Sequence, residues 1–189
     1  MTKLAIIYHS GYGHTEKMAH HVKKGAASVD GVETLILKLE DGNEDFSAAN
    51  DADAIIFGSP TYMGSVSAVM KNFMEKTSPL FAKRQWKDKL AGGFTLSHSL
   101  SGDKLNALMQ INIFAMQHGM IWAGFDELNQ SPDGEPGKED VMNRMGAFLG
   151  LMGQTENAPA DITPPSGDLL SAEYFGKRLA ETAKRFKKA

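Results

Sequence analysis

Continuously apolar runs alternate with amphipathic segments along most of the chain. Leu4-Ala5-Ile6-Ile7-Tyr8 is unbroken in hydrophobicity, as expected of a strand covered on both faces. Met18, Val22, Gly25, Ala26 and Val29 then fall at i, i+4, i+7, i+8 and i+11, one face of a helix that begins near His14 or Thr15. After the turn at Asp30-Gly31, residues 33–39 alternate enough to predict a second strand with one more solvated side, at a sheet edge. Residues 40–53 are acidic and predict a connection with at most a weak helical turn.

The alternation continues. Ala54-Ile55-Ile56-Phe57-Gly58 predicts a third strand, and Val66, Val69, Met70, Phe73 and Met74 a helix closed by Ser78-Pro79, with 80–86 a connection. Leu90 to Leu96 predicts a fourth strand whose paired glycines, Gly92 and Gly93, imply close approach by a neighbour. The next helix carries Leu105, Leu108, Met109, Asn112 and Met116 on its expected buried face, and Met120 to Gly124 predicts the fifth strand. Residues 125–137 have the length and composition of a functional loop or lid. Residues 144–153 read equally as a strand or a helix end, and 159–167 are irregular by their prolines. A final helix has Phe175, Leu179, Thr182, Ala183 and Phe186 on its expected buried face.

This pattern predicts one α/β domain over residues 1–189, a doubly wound, five-stranded parallel sheet with helices on both faces and right-handed crossovers. In strand order 2-1-3-4-5, ligands bind outside the carboxyl ends of strands one and three. Composition narrows the chemistry. A formal net charge of -3 gives no reason to expect nucleic acid or an anionic membrane as partner, and the basic run Lys184 to Lys188 suits a helix end. With no cysteine, disulfides, thiol catalysis, thiolate zinc and cysteine-ligated clusters are excluded, so redox chemistry requires a bound cofactor. Adjacent His20 and His21 point about 100° apart on a helix and cannot chelate one metal together, so no metal site is expected. Without a signal pattern or a membrane-length apolar run, a cytoplasmic location is expected.

Candidate chemistry lies in three polar loops that follow three apolar strands. In the first, Tyr8-His9-Ser10-Gly11-Tyr12-Gly13-His14-Thr15, the third glycine of the dinucleotide fingerprint is replaced by Glu16, and the loop holds no lysine, the next being Lys17, to make a triphosphate loop. Ser10-x-x-Gly13-x-Thr15 is left with two readings: hydroxyls and amides that surround a monophosphate ester such as FMN, or a glycine-containing turn with Ser10 or Thr15 as helix cap. The second loop, Ser59-Pro60-Thr61-Tyr62-Met63-Gly64-Ser65, has Pro60 to pin a turn, Gly64 to admit a ligand to the backbone and Tyr62 to offer a ring face. The third is Ser97-His98-Ser99-Leu100-Ser101-Gly102-Asp103.

Together with His118-Gly119-Met120, these motifs resemble the flavodoxin-like fold, and within it the WrbA-type NAD(P)H:quinone oxidoreductases and the NADPH-dependent FMN reductase family. The resemblance runs from Leu4 to about Ala123 and implies that Ser10, Gly11, Tyr12, Gly13, His14 and Thr15 hold the FMN phosphate. It further places Pro60, Thr61, Tyr62, Met63 and Gly64 at the isoalloxazine edge, and Ser97, His98, Ser99, Leu100 and Ser101 on the ring's other side. His118 and Phe81 would belong to the flavin and substrate pocket, and Tyr12 to nicotinamide binding. The implied activity is two-electron, ping-pong transfer from NAD(P)H through FMN to a small quinone-like acceptor, with no obligatory acid or base, in a homo-oligomer, dimer or tetramer. An electron carrier of the flavodoxin type is the alternative. The chain departs from the family where Tyr62 and Met63 replace an arginine and an aromatic, where His98, Ser99 and Leu100 stand in place of a glycine-rich loop, and where Phe81 replaces tryptophan.

Overall fold

A computed structural model of the protein describes residues 1–40, 45–131 and 138–188. The strands are β1 (Thr2–His9), β2 (Val32–Leu39), β3 (Ala54–Tyr62), β4 (Ser65–Val66), β5 (Leu90–Ser97), β6 (Ile121–Trp122) and β7 (Leu151–Gln154). The helices are α1 (His14–Ala27), α2 (Ala68–Lys76), α3 (Ser78–Ala82), α4 (Lys104–Gln117) and α5 (Ser166–Lys188). A short 3₁₀ turn spans Ser47–Asp51 in the acidic connection, of which residues 41–44 lie outside the described residues.

The main sheet runs β2-β1-β3-β5-β6 and is parallel throughout, the flavodoxin-like order. Its fifth strand is divided. β6 pairs with Leu90 and Ala91 at the start of β5, and β7 pairs in parallel with Phe94 to Ser97 at its end. The insertion between them includes residues 132–137 of the expected loop or lid, which lie outside the described residues.

The pleat of β1 sorts the core into two halves, because successive side chains point to opposite faces. Leu4, Ile6 and Tyr8 pack with Met18 and Val22 of α1 and Phe175 and Leu179 of α5. Ala5 and Ile7 face the other way, toward Met70 and Phe73 of α2, Trp86, and Ile111 and Phe114 of α4. There, Phe57, Phe73, Trp86 and Phe114 form a mutually contacting group with ring centroids 5.4 to 6.4 Å apart.

Two expectations about helices are corrected. Ser78-Pro79 does not simply end α2; Pro79 sits in the first turn of α3, where its missing N–H costs nothing. On α4 the buried side chains are Lys104, Ala107, Leu108, Ile111, Phe114 and Ala115, whereas Leu105, Met109, Ile113 and Met116 form an exposed stripe. Only Leu108 of the expected face is inside. The helix is apolar on two opposite sides, so period alone cannot choose which side meets the sheet.

α1 and α5 approach backbone to backbone. A Cβ on Gly25 would lie 1.8 Å from the carbonyl oxygen of Glu173, and one on Gly176 would lie 1.9 Å from that of Val22. Around this crossing, Glu173 accepts hydrogen bonds from His21 and Lys24, each at 2.8 Å. In an ordinary helix interior Gly→Ala stabilises by about 0.5 to 1 kcal/mol. Here Gly25→Ala must push the helices apart, and we expect destabilisation of about 1 to 3 kcal/mol, read from the urea midpoint.

Candidate active site

β1, β3, β5 and β7 all end at one edge of the sheet, and the segments leaving them enclose a cavity of about 750 Å³. That volume lies within the usual range for cofactor sites. Tyr12, His14 and Thr15 line it from the first loop, Pro60, Thr61 and Tyr62 from β3, and Leu96, Ser97 and His98 from the end of β5. Thr155, Glu156, Asn157, Ala158 and Pro159, which follow β7, supply the remaining wall. No lysine or arginine is among these lining residues.

The first loop is shaped by its own hydroxyl and by Gly13. The Gly13 amide donates to Ser10 Oγ at 3.1 Å, and Gly13 takes the left-handed conformation, φ 88°, from which α1 departs. A side chain there would be strained, and its Cβ would come within 3.1 Å of Ala160. No side chain caps α1, so its first N–H groups and the positive end of its dipole face the cavity end lined by His14 and Thr15. Thr15 is buried and Tyr12 is 79 % exposed.

The second loop is a hairpin. Pro60 does not pin a turn but continues β3, opposite Leu96 and beyond the last β1 pairing at Gly58, where no ladder bond to β1 needs its N–H. The turn is Met63-Gly64, φ 47° and 75°, and β4 returns antiparallel with Thr61 opposite Val66. Met63 stands wholly exposed at the tip. Below it, the Thr61 and Thr95 hydroxyls are 2.7 Å apart, Thr95 donates to the Ser59 carbonyl and the Ser67 amide donates to Ser59 Oγ, a buried bracket that fixes the ledge. Tyr62 leans toward the first loop, its ring centroid 6.4 Å from that of Tyr12. Burial, then the neighbouring Tyr12, raises its hydroxyl's pKa.

In the third loop Ser97 and His98 reach the cavity, while Ser99, Leu100 and Ser101 are exposed and do not line it. The wall from β7 was missed because residues 144–153 gave no decisive period. Once β7 is a parallel strand beside Ser97, residues 155–159 must emerge at the ligand edge. His14 Nε2 lies 2.8 Å from the Ala158 carbonyl, and His98 Nδ1 lies 3.1 Å from that of Thr155, so this segment is joined to both neighbours. Arg144 and Asp168 anchor it from behind: two guanidinium contacts of 2.7 and 3.1 Å, with the Gln154 amide donating to the same carboxylate at 2.7 Å. Burial pushes the Asp168 carboxyl up against the pull of Arg144.

Phe81 and His118 are not brought beside the first loop in the single chain. They line a second cavity of about 410 Å³ that shares no residue with the first. α4 starts at the ligand edge and runs back along the sheet for 14 residues, about 20 Å, before reaching His118. The Thr77 hydroxyl donates to the Met74 carbonyl at 2.7 Å, so it accepts from His118 Nε2–H at 3.0 Å. Nδ1 is then a buried acceptor with no partner among the described residues, and Trp86 and Phe114 flank the ring at 4.8 and 4.7 Å. Burial, reinforced by Arg84, lowers its pKa to about 4. No group of three or more metal-ligating His, Asp or Glu side chains occurs among the described residues.

An uncapped helix start, an aromatic and hydroxyl ledge and a parallel-sheet edge place the chain among doubly wound proteins with a ligand cavity at the carboxyl ends of the strands. The sequence profile of the NADPH-dependent FMN reductase family matches residues 2–126, and the chain belongs to that family of oxidoreductases, whose cofactors are FMN and NAD(P)H. It is 37 % identical over 186 residues to flavodoxin FldP of Pseudomonas aeruginosa, covering 95 % of this chain and 96 % of that one. It is 29 % identical to an NAD(P)H dehydrogenase (quinone) of Geotalea uraniireducens, covering 97 % and 98 %. Among solved structures, a flavodoxin, WrbA-like protein from Agrobacterium tumefaciens superposes with a TM-score of 0.75 at 33 % identity, covering 98 % and 99 %.

The His118 environment predicts a pH dependence. An unfolded histidine titrates near 6.5 and the folded one near 4, so the unfolded state binds the extra proton between those values. Stability should therefore fall as pH drops from about 6.5 toward 4, by about 1 to 2 kcal/mol at pH 5. Comparing urea unfolding at pH 7 and 5, His118→Gln should lose that part of the difference; an unchanged difference would contradict the assignment.

Proposed function

We propose that the protein is an FMN-dependent oxidoreductase that passes electrons from NAD(P)H to a small quinone-like acceptor by two-electron, ping-pong chemistry. The observation that carries this reading is the asymmetry of the first cavity. One end presents the free amides of α1 with Thr15 and no basic side chain, which suits a single terminal phosphate; the other presents Pro60, Thr61, Tyr62 and Leu96, which suit a flat, largely neutral ring. Bound there, FMN supplies the hydride-accepting and electron-donating chemistry. The chain's own part is to bind and orient. Ser10, Gly11, Gly13 and Thr15 hold phosphate, Thr61, Tyr62 and Met63 border the ring, and Ser97 and His98 close its far side. Exposed Tyr12 beside Tyr62 leaves an aromatic entrance on which a nicotinamide or a quinone can stack. The quinone-reducing relative supports the acceptor class.

The reading takes residues 1–189 as one domain that works in the cytoplasm as a dimer or tetramer, with no nucleic-acid or membrane partner. The exposed stripe of Leu105, Met109, Ile113 and Met116, with exposed Phe81 nearby across the second cavity, supports self-association. No helix among the described residues is long and apolar enough to cross a membrane.

A flavodoxin-type electron carrier without NAD(P)H oxidation is the second reading, favoured by the relative named flavodoxin FldP. Adding NADH or NADPH anaerobically to the FMN-loaded protein separates the two. The enzyme reading expects the yellow colour to bleach and benzoquinone to restore it over many turnovers; a flavin that stays oxidised would favour the carrier. Thr15→Ala should weaken FMN binding about tenfold or more, in a fluorescence titration, without moving the thermal midpoint of the apoprotein.

A further inference from the structure

Lys104 is the first residue of α4 and only 1 % exposed. Its ammonium group donates three hydrogen bonds, to Ser97 Oγ at 2.9 Å, the Ser99 carbonyl at 3.0 Å and the Leu100 carbonyl at 2.7 Å. All three acceptors are neutral. A cation at a helix N-terminus also opposes the helix dipole, so this placement costs energy twice, once in desolvation and once in the dipole. The other buried charges near it are Arg144, from the segment before β7, and Asp168, from the start of α5. Those two are engaged with each other through two contacts. The trio therefore holds two positive charges against one negative. One positive charge is left, one hydrogen bond behind Ser97, a lining residue of the first cavity.

As a bracket for residues 97–101 alone, a neutral donor would serve without those costs. We propose that Lys104 is a positioning and electrostatic residue for the flavin cavity, holding the Ser97–Ser101 wall and stabilising the negative charge that reduction places on the bound ring. This rests on the flavin reading above. Hydride transfer from NAD(P)H carries two electrons and one proton to a neutral ring, leaving one negative charge there and NAD(P)⁺ as the oxidised product. In water a second proton joins the reduced ring below neutral pH. Beside the buried cation it does not, and the anionic reduced form persists. Burial, partly offset by Asp168 and reinforced by Arg144, lowers the Lys104 pKa to about 8, so the charge is present at neutral pH and is the more strongly held once the ring is an anion.

The test is the midpoint potential of the bound flavin against pH. For a two-electron couple a tenfold change in equilibrium constant is 29.6 mV, so uptake of one proton gives a slope of about 30 mV per pH unit and uptake of two about 60 mV. Wild-type protein should show about 30 mV per unit between about pH 5.5 and 7. Lys104→Met and Lys104→Gln should lower the ratio of reduced to oxidised flavin affinity at least tenfold, moving the potential down by about 30 mV or more and steepening the slope. Lys104→Arg should keep wild-type behaviour. The cavity is also lined by His14, His98 and the acid Glu156, and Glu156→Gln should leave the 30 mV slope in place.

A purely structural bracket would weaken oxidised and reduced flavin alike; affinity lost with the potential unmoved would overturn the proposal and spare the flavin reading. Failure of wild-type protein to bind FMN in a titration would overturn both. Should the neutral variants not fold, a wild-type slope near 60 mV per unit at pH 5.5 to 6.5 would by itself overturn the role of Lys104.

Discussion

Parallel pairing of β1 with both β2 and β3 is the constraint on which the rest of the molecule depends. Because β3 and β5 run the same way, every polar loop of chemical interest leaves the sheet at one edge, and every helix must carry the chain back to the other. The same geometry separates functions along each helix. α1 and α4 begin at the ligand edge, with Thr15 and Lys104 in their first turns, and α4 ends far from it, at His118. The fold is closed by α5, whose backbone lies directly on α1 at Gly25 and Gly176 and whose Asp168 reaches under the cavity wall.

Charge is distributed around the cavity with an economy that suits a cofactor negative at one end and redox-active at the other. Its lining contains no lysine or arginine, so a phosphate bound there would be met by amides and a hydroxyl at the start of α1. The positive side chains are one layer back and buried, Lys104 hydrogen-bonded to Ser97 in the wall and Arg144 to Asp168, which accepts from the Gln154 amide just before the wall from β7. Water is thereby kept from both cations, and their fields extend further than those of surface lysines.

The alternation of apolar and amphipathic segments made the sheet, its order and the three loops at Ser10, Ser59 and Ser97 legible from sequence. Those loops carry most of the cavity. What escaped was whatever depended on tertiary choice. Residues 151–154 form a strand only because Phe94 to Ser97 are left open by the two-residue β6, and so the wall at Thr155 to Pro159 was invisible. The buried side of α4 was misjudged because both of its sides are apolar, and Pro60 was taken for a turn residue although its position past the end of the β1 ladder lets it remain in a strand. His118 was linked to the cavity by resemblance; the run of α4 puts it elsewhere in the single chain. Nothing in the local sequence announces Lys104 as a buried cation.

The central claim is that a phosphate-bearing flavin binds at the carboxyl edge with its phosphate on the amides of α1. Titrating the apoprotein with FMN and with riboflavin tests it most directly, because the two ligands differ only in that phosphate. With charge-assisted hydrogen bonds contributing about 1.5 to 3 kcal/mol each, FMN should bind at least about a hundredfold more tightly. Equal affinity for the two would contradict the account.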